Sequence, residues 1–335
     1  MPPAPSRRLV HGRGSVSRGD VTPAIDVVGD VHGSFLHLEG LLDRLGYVER
    51  RGRRRHPEGR KAVFVGDLID RGPGQLETVR IVRGMLETGD AACVMGNHEY
   101  NAVAWYHGLR RKDEHRRRQH AAFLDAVGEG SALHRELVEW FATLPLVLEI
   151  DGLRIVHACW DPQALEDISG FVSTSGGLTE DGFTHSSDRG HADGRTHRAV
   201  EHLLKGPEIE LPAETRYVDK DGKLRSRARY AWWNDQVRSL ADACVLPHDV
   251  LGEDGEPHRG FDGHAVGEIP CAPYTADVPV VVGHYWRSGV PEPLAPRIAC
   301  VDYSAVRGGA LCAYRYDGET TLLAEKFVTF DGRRG

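Results

Sequence analysis

The chain has 335 residues, a formal net charge of −7 and 40% hydrophobic residues, enough for a packed core. An acidic balance argues against broad nucleic-acid binding, which favours basic surfaces, so no nucleic-acid partner is expected. No apolar run reaches the roughly 18 residues of a membrane helix, and none of the six cysteines forms a C-x-x-C pair, which argues against a zinc finger.

Residues 1–22 are rich in Pro, Gly, Ser and Arg and lack an apolar signal core. A flexible tail, no membrane partner and reduced thiols in a cytoplasmic protein are the expectations. Residues 23–335 are expected to form a single domain. Ile25–Gly29, Lys61–Gly66 and Ala92–Gly96 are short apolar runs ending in glycine and predict strands. Phe35–Leu45 and Gln75–Leu86 have apolar residues three and four apart and predict helices between them, hence parallel strand pairing. Arg50–Gly59 is charged and predicts a loop.

Helical patterns follow over Tyr100–Leu109, His115–Val127 and Ser131–Leu144, then strand patterns over Leu146–Ile150 and Arg154–Val156. From about 160 to 276 regularity falls, and this stretch predicts a cap or insertion. Strand patterns return at Val278–Val282, Ile298–Val301, Leu311–Tyr316 and Thr321–Phe330, with Asp317-Gly318 as a hairpin signal. The fold class is α/β.

Each of the first three strands ends in polar ligand types: Gly29-Asp30-Val31-His32-Gly33, Gly66-Asp67-Leu68-Ile69-Asp70-Arg71-Gly72 and Gly96-Asn97-His98-Glu99. In open α/β sheets ligands sit beyond the carboxyl ends of strands, so these turns converge. His157 and His284 also end strand patterns. Carboxylates with imidazoles suit Mn, Fe or Zn, and six such side chains exceed one tetrahedral site, which favours two metals.

These motifs, in this order, resemble the signatures of the phosphoprotein phosphatase branch of the calcineurin-like metallophosphoesterases, bacterial type. The resemblance covers Ile25–His98, with looser likeness at Arg154–His157 and Val280–Tyr303. It implies a four-layer α-β-β-α sandwich with a cap-like insertion. It also implies two divalent ions, Mn first, with Fe, Zn, Ni or Mg as alternatives. Asp30, His32 and His284 would hold the first ion, Asp67 would bridge, and Asn97 and His157 would hold the second; His284 could instead serve the second. His98 would be the general acid with Asp70 behind it. Arg71, with Asn97 and Tyr303, would contact the phosphate, and Arg238 could add a further contact.

The leading expectation is hydrolysis of phosphate monoesters, as by a protein Ser/Thr phosphatase. The alternative is a dinucleoside polyphosphate hydrolase of the symmetrical diadenosine tetraphosphatase type. The substrate would be a phosphorylated protein or a nucleotide-type small molecule. A non-enzyme reading is a degenerate metal-binding scaffold. Glu99 is expected to support its turn, and the histidines at 185, 191 and 197 to lie in a solvated loop.

Overall fold

A computed structural model describes residues 24–50, 52–187, 194–219, 222–246, 250–261 and 263–332. The chain runs through β1 (Ile25–Val28), α1 (Phe35–Leu45), β2 (Val48–Arg50), β3 (Arg53–Arg55), β4 (Lys61–Phe64), α2 (Gln75–Glu87) and β5 (Ala91–Cys93). Helices α3 (Asn97–Tyr106), α4 (Glu114–Gln119), α5 (Ala121–Val127) and α6 (Ala132–Ala142) lead to β6 (Val147–Ile150) and β7 (Leu153–Val156). The next stretch holds α7 (Pro162–Asp167), α8 (Glu180–Ser187), α9 (Arg195–Lys205), β8 (Glu208–Glu210), β9 (Tyr217–Val218), β10 (Leu224–Arg225) and β11 (Arg227–Tyr230). It ends with α10 (Leu240–Ala243), β12 (Cys244–Val245) and β13 (Leu251–Gly252). The last strands are β14 (Val280–Val282), β15 (Ile298–Cys300), β16 (Leu311–Tyr316) and β17 (Phe327–Phe330).

A five-stranded sheet has the order β17-β16-β1-β4-β5, with β1, β4 and β5 parallel and Val28, Phe64 and Cys93 in register. A four-stranded sheet has the order β15-β14-β7-β6, its first three strands parallel. Successive strand residues face opposite sides of a sheet. Val27 and Val63 therefore meet Ile155 and Val281 in one buried cluster between the two sheets. Their neighbours Val28 and Phe64 join a second cluster with helix residues Leu38, Leu41 and Val82, and Val280 and Val282 join it with Leu203 and Leu204. Apolar residues on both faces of each sheet thus produce the α-β-β-α layering. Among the described residues no helix is long and apolar enough to cross a membrane.

Three local expectations are corrected. The charged segment at 48–55 is a hairpin, not a loop: Gly52 takes the left-handed conformation of the turn, and Arg54 reaches back to Asp43 at 2.6 Å. The helical pattern over His115–Val127 breaks at His120, whose ring is drawn inward to Asp70. β16 and β17 are not joined by a tight turn at Asp317-Gly318; the connection runs through residues 317–326, with Leu322 buried and Asp317 receiving Lys326 at 2.5 Å.

The base of the first sheet is fastened by Asp26, a buried carboxylate on β1. It accepts from Arg60, just before β4, at 2.9 Å and from Arg315 on β16 at 3.0 Å. Removing one partner of a buried pair leaves the other charge uncompensated, so Asp26→Asn is expected to cost about 3–5 kcal/mol. Urea unfolding of the purified variant checks this, and a loss below about 1 kcal/mol would show the pair contributes only as an exposed one does.

Candidate active site

The turns after β1, β4, β5, β7 and β14 meet at one end of the two sheets. Backbone bonds fix them to each other. The carbonyl of Asp67 accepts from the N–H groups of Val31 at 3.1 Å and His32 at 2.8 Å. Glu99 accepts from the N–H of Asp67 and of Leu68 at 2.8 Å each, and from Gly96 at 3.0 Å. Such close turns need unusual backbone. Of the eight non-glycine residues with positive φ among the described residues, six lie here: His32, Asp67, Asp70, Arg71, His284 and Trp286. Gly96 is required by space, because a Cβ there would stand 2.2 Å from the Asp67 nitrogen.

The side chains gather as follows. Asp67 presents Oδ2 to His32 Nε2 and Oδ1 to His157 Nε2, each at 3.5 Å. The Asn97 oxygen lies 3.1 Å from His157 Nε2 and 2.9 Å from His284 Nδ1. Asp30 accepts the backbone N–H of His284 at 3.2 Å. The ligand atoms of Asp67, His157 and His284 all lie within 4.8 Å of one another, and so do those of His32, Asp67 and His98.

This donor set fits cations. His32 Nδ1 and His157 Nδ1 each approach a carbonyl, of Ile69 at 2.8 Å and Val65 at 2.7 Å, and a carbonyl can only accept. The proton is therefore on Nδ1, and in the neutral ring a lone pair on Nε2 faces the Asp67 carboxylate. His32 Nε2 is buried with no hydrogen-bond partner. Burial, with His98 nearby, lowers His32 to about 3 and so keeps it neutral, the form that binds metal. Burial and the neighbouring Asp302 carboxylate push Asp30 well above the usual range. Burial and Arg229 also lower His284, whereas Asp67, against burial, raises His157 to about 10, a proton that a cation beside Asp67 would displace.

Beside this group lies a second one. His98 Nδ1 donates to Asp70 Oδ2 at 2.5 Å, and His120 Nδ1 donates to the same oxygen at 2.6 Å. Arg71 Nη2 lies 3.3 Å from His98 Nε2. Burial opposes charge on both partners of the pair. It is outweighed for His98 by Asp67 and Asp70, which raise it, and for Asp70 by His120 and His98, which lower it to about 2.

A family model described as calcineurin-like phosphoesterase matches residues 23–285. The chain belongs to this family. A bis(5'-nucleosyl)-tetraphosphatase PrpE [asymmetrical] from Geobacillus thermodenitrificans is 34% identical over 317 residues, covering 91% of this chain and 99% of that protein. A symmetrical bis(5'-nucleosyl)-tetraphosphatase from Aromatoleum aromaticum is 36% identical over 303 residues, covering 88% and 94%. The asymmetrical enzyme of Halalkalibacterium halodurans is 37% identical over 137 residues, so the chain spans just over half of that relative, 56%.

The phosphoesterase site differs from expectation in three places. The ring of His284 stands with Asn97, His157 and Asp67, not with His32, so it falls in the second group, the alternative left open above. Tyr303 is turned away from the constellation. It packs with Ile25 and Cys312 between the sheets, and its hydroxyl accepts from the Glu292 N–H at 3.3 Å. Its neighbour Asp302 faces the site, accepting the Trp286 N–H at 2.9 Å, because adjacent residues of an extended segment point opposite ways. Arg238 belongs to the cap of α10, and the arginine at His284 is Arg229, whose Nη1 donates to the His284 carbonyl at 3.3 Å.

His120, Asp302, Trp286, Arg229 and Arg307 were not picked out from the sequence. Asp302 carried a signal, because it follows the strand pattern Ile298–Val301 as Asp30 follows Ile25–Gly29. Glu99 supports its turn as expected. His185 and His197 lie on helices α8 and α9 and not in the expected loop, their rings donating to the carbonyls of Asp181 and Ser186, while His191 lies outside the described residues.

Asp70 is held below its unfolded value near 3.8, so it contributes stability above that value and loses it as pH falls towards about 2. On metal-stripped protein, the wild type is expected to lose about 2 kcal/mol more than Asp70→Asn between pH 5 and pH 2. Urea midpoints across that range measure it; parallel curves would show that Asp70 is not ionised in the fold.

Proposed function

We propose that the protein hydrolyses dinucleoside polyphosphates of the diadenosine tetraphosphate type, using two divalent ions, with Mn the first choice. What carries the chemical part is the gathering of Asp30, His32, Asp67, Asn97, His157 and His284 beside the His98–Asp70 pair. What supports the substrate is the pair of relatives, matched over nearly their whole lengths, that carry tetraphosphatase names. That support moves the dinucleoside reading ahead of the phosphomonoester reading that led from the sequence. The degenerate-scaffold reading has no support, since Asp67, Arg71 and His98 are all present and in reach of one another. Six unpaired cysteines support a reducing compartment, the cytoplasm.

Asp30, His32 and Asp67 would hold one ion, and Asp67, Asn97, His157 and His284 the other. Asp67 suits the shared position because its two oxygens face different imidazoles. Bound there, the ions would supply a water of lowered pKa and stabilise negative charge on the phosphate. The chain's own groups do the rest. Arg71 holds phosphate oxygens through its planar fork. Because Arg71 touches His98 Nε2, a phosphate on that guanidinium brings its ester oxygen to the same nitrogen. His98 then gives the leaving oxygen its proton from Nε2, while Asp70 on Nδ1 holds the ring and favours its charged form. The stretch from about 160 to 276 acts as the cap that frames the leaving group.

Metal-stripped protein with Mn, Zn, Fe, Ni or Mg restored is expected to hydrolyse diadenosine tetraphosphate faster than p-nitrophenyl phosphate or a phosphothreonine peptide. Faster turnover of the peptide would restore the monoester reading. Asp67→Asn is expected to abolish turnover of all three, and a variant as fast as the parent would remove Asp67 from the shared position. His98→Ala is expected to slow poor leaving groups by about 10²–10⁴ and p-nitrophenol release far less. Equal losses on both would count against the proton donor.

A further inference from the structure

Beside Arg71, the rim of the site carries two further cations, Arg229 and Arg307, to which the reaction at the phosphoryl group assigns no role. The guanidinium carbons of Arg71, Arg229 and Arg307 surround the indole of Trp286 at 4.8, 5.4 and 4.3 Å from the ring centre. They come from three distant segments: the turn after β4, strand β11, and the 3-10 turn Ala305–Arg307. Trp286 is fixed as their common platform, because its backbone N–H is held by Asp302 at 2.9 Å and its φ is +46.

Three other arginines that stack on rings are neutralised by carboxylates, while Arg44, over Phe330, donates to the carbonyl of Thr329. Arg83 over Trp140 pairs with Glu136, Arg110 over Tyr100 pairs with Glu201, and Arg154 over Trp160 pairs with Glu149. Around Trp286, among the described residues, none of the three guanidinium groups has a carboxylate within ion-pair distance. Burial and the charge of Arg71 both make Arg307 a weaker base than usual, the mark of like charges pressed together. Such an arrangement costs free energy unless an anion joins it.

We infer that Trp286, Arg229 and Arg307 extend the Arg71 clamp into a subsite for the phosphates beyond the one being hydrolysed, so that the site takes an extended polyphosphate chain. The array starts where the chemistry is: Arg71 touches His98 and Arg229 touches the carbonyl of His284. Arg307 is its exposed outer member. A phosphate monoester brings about two negative charges near pH 7; a chain of phosphates brings one or more for each guanidinium on the rim. The inference rests on the reading of Arg71 given above, but does not require that the ends of the chain be nucleosides.

The test is isothermal titration of the full chain, metal-stripped so that neither ligand chelates or turns over, with inorganic tripolyphosphate and with orthophosphate. Arg307→Gln is expected to weaken tripolyphosphate about tenfold, the scale of one charge-assisted contact, and orthophosphate by clearly less. Arg53→Gln, in the β2–β3 hairpin beside the start of β5, removes the same charge away from the site and is expected to change neither. Equal losses on both ligands, no loss, or a matching effect from Arg53→Gln would overturn the subsite. A kinetic arm uses the Mn-loaded enzyme, where Arg307→Gln is expected to lower the ratio of kcat/KM for diadenosine tetraphosphate over p-nitrophenyl phosphate about tenfold. If the parent binds tripolyphosphate through Arg307 but never cleaves diadenosine tetraphosphate, the nucleoside part of the proposed function fails and the subsite stands.

Discussion

The site depends on one buried carboxylate whose hydrogen bonds all go to backbone. Glu99 accepts three backbone N–H groups, from Asp67 and Leu68 after β4 and from Gly96 after β5. Asp67 in turn receives the first turn through its carbonyl. Three strand ends are thereby tied edge to edge, and the Asp67 carboxylate adds a bond to the His98 N–H at 2.9 Å. This frees Asp30, His32, Asp67, Asn97, His157 and His284 to present lone pairs to one another, which no fold tolerates unless the backbone leaves little room to relax. The left-handed residues His32, Asp67, Asp70 and Arg71 lie in the turns so tied. Strain at this end is offset by apolar packing on both faces of each sheet.

The tie also separates two functions within a few ångströms. On one side stand His32, His157 and His284 around a shared carboxylate, a set that suits cations. On the other stands Asp70, with two imidazole N–H groups on one oxygen, a set built to keep a proton on His98. Asp67 touches both, through its side chain towards His32 and His157 and through the His98 N–H at 2.9 Å. Charge added to one side is therefore felt on the other, and Asp67 is the residue whose loss neither side can absorb.

What was legible in the sequence was the strand-end pattern. Four-residue apolar runs followed by glycine and an acid or amide specify a strand, a tight turn and a ligand type together, and Asp30, Asp67 and Asn97 are found where that pattern puts them, at the ends of β1, β4 and β5. His120 was not legible, because it sits in a charged stretch, Arg116–Gln119, whose local pattern is that of an exposed helix; only the tertiary pull of Asp70 breaks the helix there. The resemblance points to Tyr303 as the tyrosine beside the site, whereas alternation along an extended segment turns its neighbour Asp302 to face it. The hairpin at 48–55 was hidden by its arginines, of which Arg54 pairs with Glu39 and Asp43 on α1.

Two arginines of the rim, Arg229 and Arg307, were hidden for a different reason, and it bears on specificity. A metal centre needs ligands at short, fixed distances, so its residues sit on strand ends and leave a mark in local sequence. A rim that holds phosphates by charge needs only guanidinium groups facing one place, which Arg71, Arg229 and Arg307 reach from unrelated segments on long side chains. Selection for a longer or shorter substrate can then act on Arg229 and Arg307 while the strand ends stay as they are. On this fold the reaction class is written in the turns, and the length of the phosphate chain in the charge placed around Trp286.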